Sequence, residues 1–221
     1  MVNLIQKEDG KFYEENSENL FSGKANYNLE NGCNYDGEFL YGEIEGKGTL
    51  VWPNGDKYEG QLLSGQMEGI GKLLWINGDK YEGHFSEDTI TGVGKKTWSN
   101  GDTYEGEFKN GIAHGKGIYL WTDGEKYEGE MKFGLFHGKG IKTWINGDKY
   151  VGEFKSGNLH GKGTYYFANG EKFNTGEMPK TQYLFERKTK NEENKKIACL
   201  CDVRTDALQS RWLWKQHRNS E

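Results

Sequence analysis

A phrase of 23 residues recurs along this chain with no insertion or deletion. Its clearest copy, YEGEFKNGIAHGKGIYLWTDGEK, starts at Tyr104, and Tyr127 begins it again. Tyr35, Tyr58, Tyr81, Tyr104, Tyr127 and Tyr150 share one position of the phrase, with Phe12 one period before them and Phe173 one period after. Trp52, Trp75, Trp98, Trp121 and Trp144, then Phe167, mark a second position; Gly46, Gly69, Gly92, Gly115, Gly138 and Gly161 mark a third. Self-similarity at a period of roughly 20 to 50 residues specifies a stack of equivalent supersecondary units rather than one globular core.

Within a unit the pattern has period two. In Tyr104, Gly106 and Phe108 the alternate residues are apolar or glycine, while Glu105 and Glu107 between them are charged, as in a half-exposed strand. Gly115 to Trp121 reads as the second strand. Between units stands a turn, explicit in Pro53-Asn54-Gly55 and repeated at Asn77-Gly78, Asn100-Gly101, Asp123-Gly124, Asn146-Gly147 and Asn169-Gly170. Proline presets the first turn position and glycine takes the left-handed one, which predicts a three-residue hairpin loop. An odd loop sets Leu50 opposite Tyr58 and Trp52 opposite Asp56, so Trp52, Tyr58 and Leu62 share a face; an even loop would split the aromatic side. The glycines, Gly106, Gly115 and Gly117 among them, then supply flat backbone on which rings lie.

Composition agrees with rings buried on backbone. Hydrophobic residues make up only 33% of the chain, yet aromatics reach 14% and there are 33 glycines. The net charge of -5 argues against nucleic acid as the main partner. The charge is unevenly placed, because residues 174–221 carry more basic than acidic side chains and residues 1–173 the reverse. No apolar leader opens MVNLIQKEDGKF and no run of about 18 apolar residues occurs. Cys33, Cys199 and Cys201 are too few for a disulfide framework. The expectation is a cytoplasmic protein.

Residues 1–11 read as a polar lead-in and residues 12–34 as an atypical capping unit, with Phe12, Ala25 and Leu29 at the Tyr, Gly and Trp positions. Better units start at 35, 58, 81, 104, 127 and 150, so the array spans 12–173; the unit at 81 departs most, with Asp88 in place of glycine and Lys96 in place of Leu or Tyr. From residue 174 the sequence changes character. In DALQSRWLWKQHR, Leu208 and Trp212 are four apart, with Asp206 early and Lys215 and Arg218 late, which predicts a short amphipathic helix over about 205–217.

Several patterns suggest chemistry and fail on geometry. Glu105 and Glu107 resemble a catalytic carboxylate pair, but the pair recurs at Glu128 and Glu130, whereas an active site is normally unique. His114, His137 and His160 lie one unit, about 9 to 10 Å, apart, too far to share a metal. The recurrent Gly-Lys-Gly lacks the spacing of a phosphate loop. Lys57, Lys80, Lys126, Lys149 and Lys172 could meet lipid phosphates but alternate with glutamates. No catalytic centre, cofactor or metal is expected.

YEGEF, HGKG and W-x-x-G-x-x-Y, as they stand here, resemble the MORN repeat, the membrane occupation and recognition nexus. The resemblance implies an all-β repeat array, an elongated single-layer twisted antiparallel sheet with an aromatic-lined groove. It implies a non-enzymatic scaffold that binds protein partners, some through a helix in the groove, and is similar to cytoskeletal and ciliary subunits such as those of radial-spoke heads in axonemes. The alternative it implies is a lipid-associated tether at a membrane. Tyr104, Phe108, Tyr119, Trp121, Tyr127, Trp144 and Tyr150 are the expected groove anchors, and Leu208, Trp212 and Trp214 the expected tail contacts. The open sheet ends add pairing with a second copy as another route.

Overall fold

The alternation of apolar and charged residues becomes a succession of hairpins in the computed structural model, which describes residues 3–175. The chain divides into two units, one ending at Glu125 and the other beginning at Lys126. The first holds β1 (Leu4–Gln6), β2 (Phe12–Glu14), β3 (Gly23–Asn28), β4 (Asn34–Leu40), β5 (Glu43–Val51), β6 (Lys57–Leu63), β7 (Gln66–Leu74), β8 (Lys80–Ser86), β9 (Thr89–Thr97), β10 (Thr103–Lys109) and β11 (Ile112–Leu120). The second holds β12 (Lys126–Lys132), β13 (Leu135–Thr143), β14 (Lys149–Lys155), β15 (Asn158–Tyr166) and β16 (Lys172–Thr175). In each unit every strand from β3 onward pairs antiparallel with its chain neighbour. No helix occurs among the described residues; the helix expected at 205–217 lies outside them.

Two kinds of turn alternate. The loop between repeats has the expected register: Leu50 faces Tyr58, Trp52 N–H donates to the Asp56 carbonyl over 3.0 Å, and Gly55 sits at φ 91°. The turn inside each repeat has two residues, both left-handed, as at Asn110 (52°) and Gly111 (76°), the geometry that matches strand twist. It starts the second strand at Ile112, three residues before the Gly115 expected from sequence. A bulge accounts for the rest. Gly106 pairs with Gly117 and Phe108 with Ala113, so His114, Gly115 and Lys116 stand against Glu107 alone, and Gly115, at φ 63°, faces the Glu107 carboxylate and not a ring as expected from sequence.

Parity places every Tyr of the phrase on one face, over paired glycines. A Cβ on Gly106 or Gly117 would fall within 3.0 Å of the Tyr104 ring or hydroxyl, so the phenol occupies the space that a side chain would need. Phe108 meets Tyr104 edge-on at 5.1 Å and also meets Tyr81 at 5.1 Å. Such pairs add about 0.5–1.5 kcal/mol beyond their area. The hydroxyls are satisfied by backbone, as where Tyr104 Oη donates to the Glu107 carbonyl over 3.0 Å. Lys57, Glu59 and Gln61 point the other way and are exposed.

The N-terminal part differs from the sequence reading. Of residues 12–34 only β3 and its turn join the main sheet; β2 pairs instead with β1, which falls inside the expected lead-in. Residues 12–21 fold back, with Phe12 N–H donating to Gly42 O and Phe21 N–H to Phe12 O, each 2.9 Å. Phe12 then covers Tyr27 and Phe39 at 4.9 and 5.0 Å. Rings without a preceding repeat are closed over by their own leader.

Candidate functional site

The expected groove anchors separate into two kinds. Tyr104, Tyr127 and Tyr150 have no exposed surface, and Phe108 and Tyr119 are buried. Trp121 and Trp144 are half-buried at the edge where the loops between repeats emerge. The repeat phenols among these anchors are therefore core, and the anchors that keep accessible surface are at the tryptophan position, where Trp52 and Trp75 are half-buried as well. Leu208, Trp212 and Trp214 lie outside the described residues.

In the first unit the residue two before Trp98 and the one two before Trp121 each fill the gap to the previous Trp. Tyr119 sits 5.2 Å from Trp98 and 4.5 Å from Trp121 by ring centroids. Lys96 takes that place one repeat earlier, its Nζ 5.0 Å from the Trp75 ring and 5.2 Å from the Trp98 ring, where cation and π faces attract. Its ammonium is 3.8 Å from Asp79. Burial pulls the Lys96 pKa below the ordinary lysine value, with Asp79 opposing. The second unit repeats the arrangement, with Tyr165 between Trp144 at 5.2 Å and Phe167 at 4.8 Å. The Trp98 Nε1–H is buried and meets no acceptor among the described residues.

Sequence reasoning missed the carboxylates beneath this edge. Asp79, Asp102 and Asp148 are buried, and each reaches from its own loop to the next one. Asp56 accepts from Ile76 N–H at 2.8 Å, Asp79 from Ser99 N–H at 2.8 Å, Asp102 from Thr122 N–H at 3.0 Å and Asp148 from Ala168 N–H at 2.9 Å. The other oxygen of Asp102 accepts from Tyr119 Oη at 3.3 Å, and that of Asp148 from Tyr165 Oη at 2.9 Å. The recurrence of Asp after Asn-Gly was the available signal.

On the polar face the glutamates make contacts with the backbone and with lysines. Glu107 accepts from the bulge amide of Lys116 at 2.9 Å, while Glu105 lies 3.5 Å from Lys95, so the two carboxylates serve different partners. His114 contributes its backbone carbonyl, which accepts from Tyr104 Oη at 3.4 Å. No cluster of metal-ligating side chains occurs among the described residues.

The MORN repeat pattern matches residues 35–57, 58–80, 81–103, 104–126, 127–149 and 150–172. The chain belongs to the MORN-repeat family. MORN repeats act as protein-interaction or membrane-binding scaffolds. The comparison with curated proteins finds no match. Among solved structures, this MORN array is similar to the TCP10c domain of Drosophila melanogaster Sas-4, at 12% identity and TM-score 0.41, over 80% of this chain and 100% of that one. It is also similar to the G-box domain of the microcephaly protein CPAP, at 10% identity and TM-score 0.38, over 80% and 100%.

Proposed function

We propose that this protein is a non-enzymatic scaffold, holding other protein subunits of a larger assembly along the tryptophan edge of its MORN array. The observation that carries this reading is the division of the aromatic residues: the phenols of the repeat are sealed over glycine, while the indoles of Trp52, Trp75, Trp121 and Trp144 remain half-open beside loops tied to one another by aspartates. Rigid, partly open aromatics are the side chains enriched at interface hot spots. The pairing of Lys126 with Glu128 at 2.8 Å, and of Lys57 with Glu59 at 3.8 Å, supports protein over anionic lipid as the partner.

The finer part of the proposal is a cytoplasmic, cytoskeletal location, as a subunit of a ciliary axonemal complex such as a radial-spoke head. It rests on the resemblance of the repeats to those of ciliary subunits. A photo-crosslinking residue in place of Ile76, which is 71% exposed beside the tryptophan file, should capture defined partner proteins in cells. Absence of any protein adduct would overturn the scaffold reading. Loss of the protein on demembranation of isolated cilia would overturn the axonemal part, and phosphoinositide-dependent flotation with liposomes would replace it with the membrane tether.

A further inference from the structure

We propose that the tryptophan file of the first unit is a docking track for a proline-rich, basic segment of another protein in the polyproline II conformation, an idea that rests on the scaffold reading above. Trp52, Trp75, Trp98 and Trp121 occur once per repeat, and a repeat contributes two strands, so successive indoles stand about 9.4–9.8 Å apart. The ring distances through Tyr119 fit that spacing.

That repeat distance selects among backbone conformations. A polyproline II helix rises about 3.1 Å per residue and has three residues per turn, so equivalent side chains recur about every 9.3 Å on the same side. Against four tryptophans the accumulated mismatch is about 1 Å. Two turns of α-helix advance about 10.8 Å, and the mismatch over the same span grows to roughly 3–4 Å. A β-strand advances a similar distance in three residues but turns the third to the opposite face. Of these three backbones, the three-fold helix alone keeps one side chain in step with the half-open indoles of Trp52, Trp75 and Trp121.

Two further observations favour the same occupant. The carbonyls of a polyproline II segment have no internal donors, and Trp98 Nε1–H is a buried donor with no acceptor in the described structure. Charge supplies the second. Lys96 pairs with Asp79, whereas the carboxylates of Asp56, half-buried, and Asp102, buried, accept among the described residues from neutral N–H and O–H donors and not from a lysine. Residues 1–173 as a whole carry more acidic than basic side chains. Arginine or lysine at the positions between prolines complements that edge.

The test is a calorimetric and fluorescence titration of the full-length protein with a synthetic peptide that carries proline at every third position and arginine between. The expected result is saturable binding with a shifted tryptophan emission. It should weaken by about tenfold or more when the same residues are reordered so that the prolines are bunched, and likewise when glutamate replaces arginine. Trp121→Ala should weaken it by about tenfold with an unchanged circular dichroism spectrum; should that variant misfold, displacement of the Trp98 indole N–H resonance in the unaltered protein decides instead. Equal binding of the bunched peptide, tighter binding of an amphipathic helical peptide, or no saturable binding would overturn the inference. If proteins still crosslink at Ile76 while the proline peptide fails, the scaffold reading survives and this one does not.

Discussion

Tyr104 illustrates how little tolerance a single residue has here. Its ring lies where a Cβ on Gly117 would have to go, so Gly117→Ala should cost about 1–3 kcal/mol by overpacking, measured by urea unfolding. Gly111 offers the contrast: nothing lies within 4 Å of its missing Cβ, but its φ is +76°. Gly111→Ala should therefore cost about 1–2 kcal/mol through the backbone alone, and Gly111→Asn should recover most of that. The sequence already implied the first glycine's role as a platform for a ring. The second kind was hidden, because a glycine needed for a left-handed turn looks the same in a string of letters. The buried phenols also set an alkaline limit. Burial pushes Tyr81 up to about 12 from an ordinary value of 10.0, and Tyr35, Tyr58 and Tyr104 move the same way for the same reason. A folded-state pKa above the unfolded one gives a contribution that is complete below pH 10 and lost as pH rises through about 12. Tyrosinate absorbance should thus appear together with loss of the β-sheet signal in circular dichroism; tyrosines that ionise while the sheet persists would contradict the buried assignment.

Each hairpin element combines a turn that the sequence announces with one that it obscures. Pro53-Asn54-Gly55 determines the parity of the whole aromatic face, and the register followed. The two-residue turn was harder to see because its first position is Tyr41, Ser64, Glu87, Asn110, Phe133 or Ser156, and all of these are left-handed. A left-handed Phe133 is strained and, at 71% exposure, gains little from burial. Phe133→Asn should stabilise the protein by about 0.5–1 kcal/mol, seen as a higher melting temperature. The bulge at Gly115 was equally obscure, since alternation counted from Tyr104 gives no warning of residues that stand against Glu107 alone. The departure at residues 12–21 has a simpler cause: the beat of Phe12 persists, but without a neighbouring repeat the rings beneath are covered more fully by a folded-back strand than by another hairpin.

At the level of the molecule, strand pairing and ring contacts join successive repeats, and at Asp56, Asp79, Asp102 and Asp148 a loop aspartate adds a tie that no pattern of hydrophobicity could reveal. Asp102→Ala would leave the Thr122 amide without its acceptor and should lower stability by about 1–3 kcal/mol. In a structure whose repeats touch only their neighbours, that loss should also reduce the steepness of urea unfolding, as flanking repeats begin to melt separately. A single transition of unchanged slope would show that strand pairing and ring contacts carry the coupling without the aspartate. The absence of any slip in the 23-residue beat has a wider meaning. Adding one residue to a strand would turn every phenol beyond it out into water, while adding a whole copy brings its own glycine platform, hinge and carboxylate latch. Such a chain can change its reach only in complete steps, so any ruler cut from it is graduated in whole repeats.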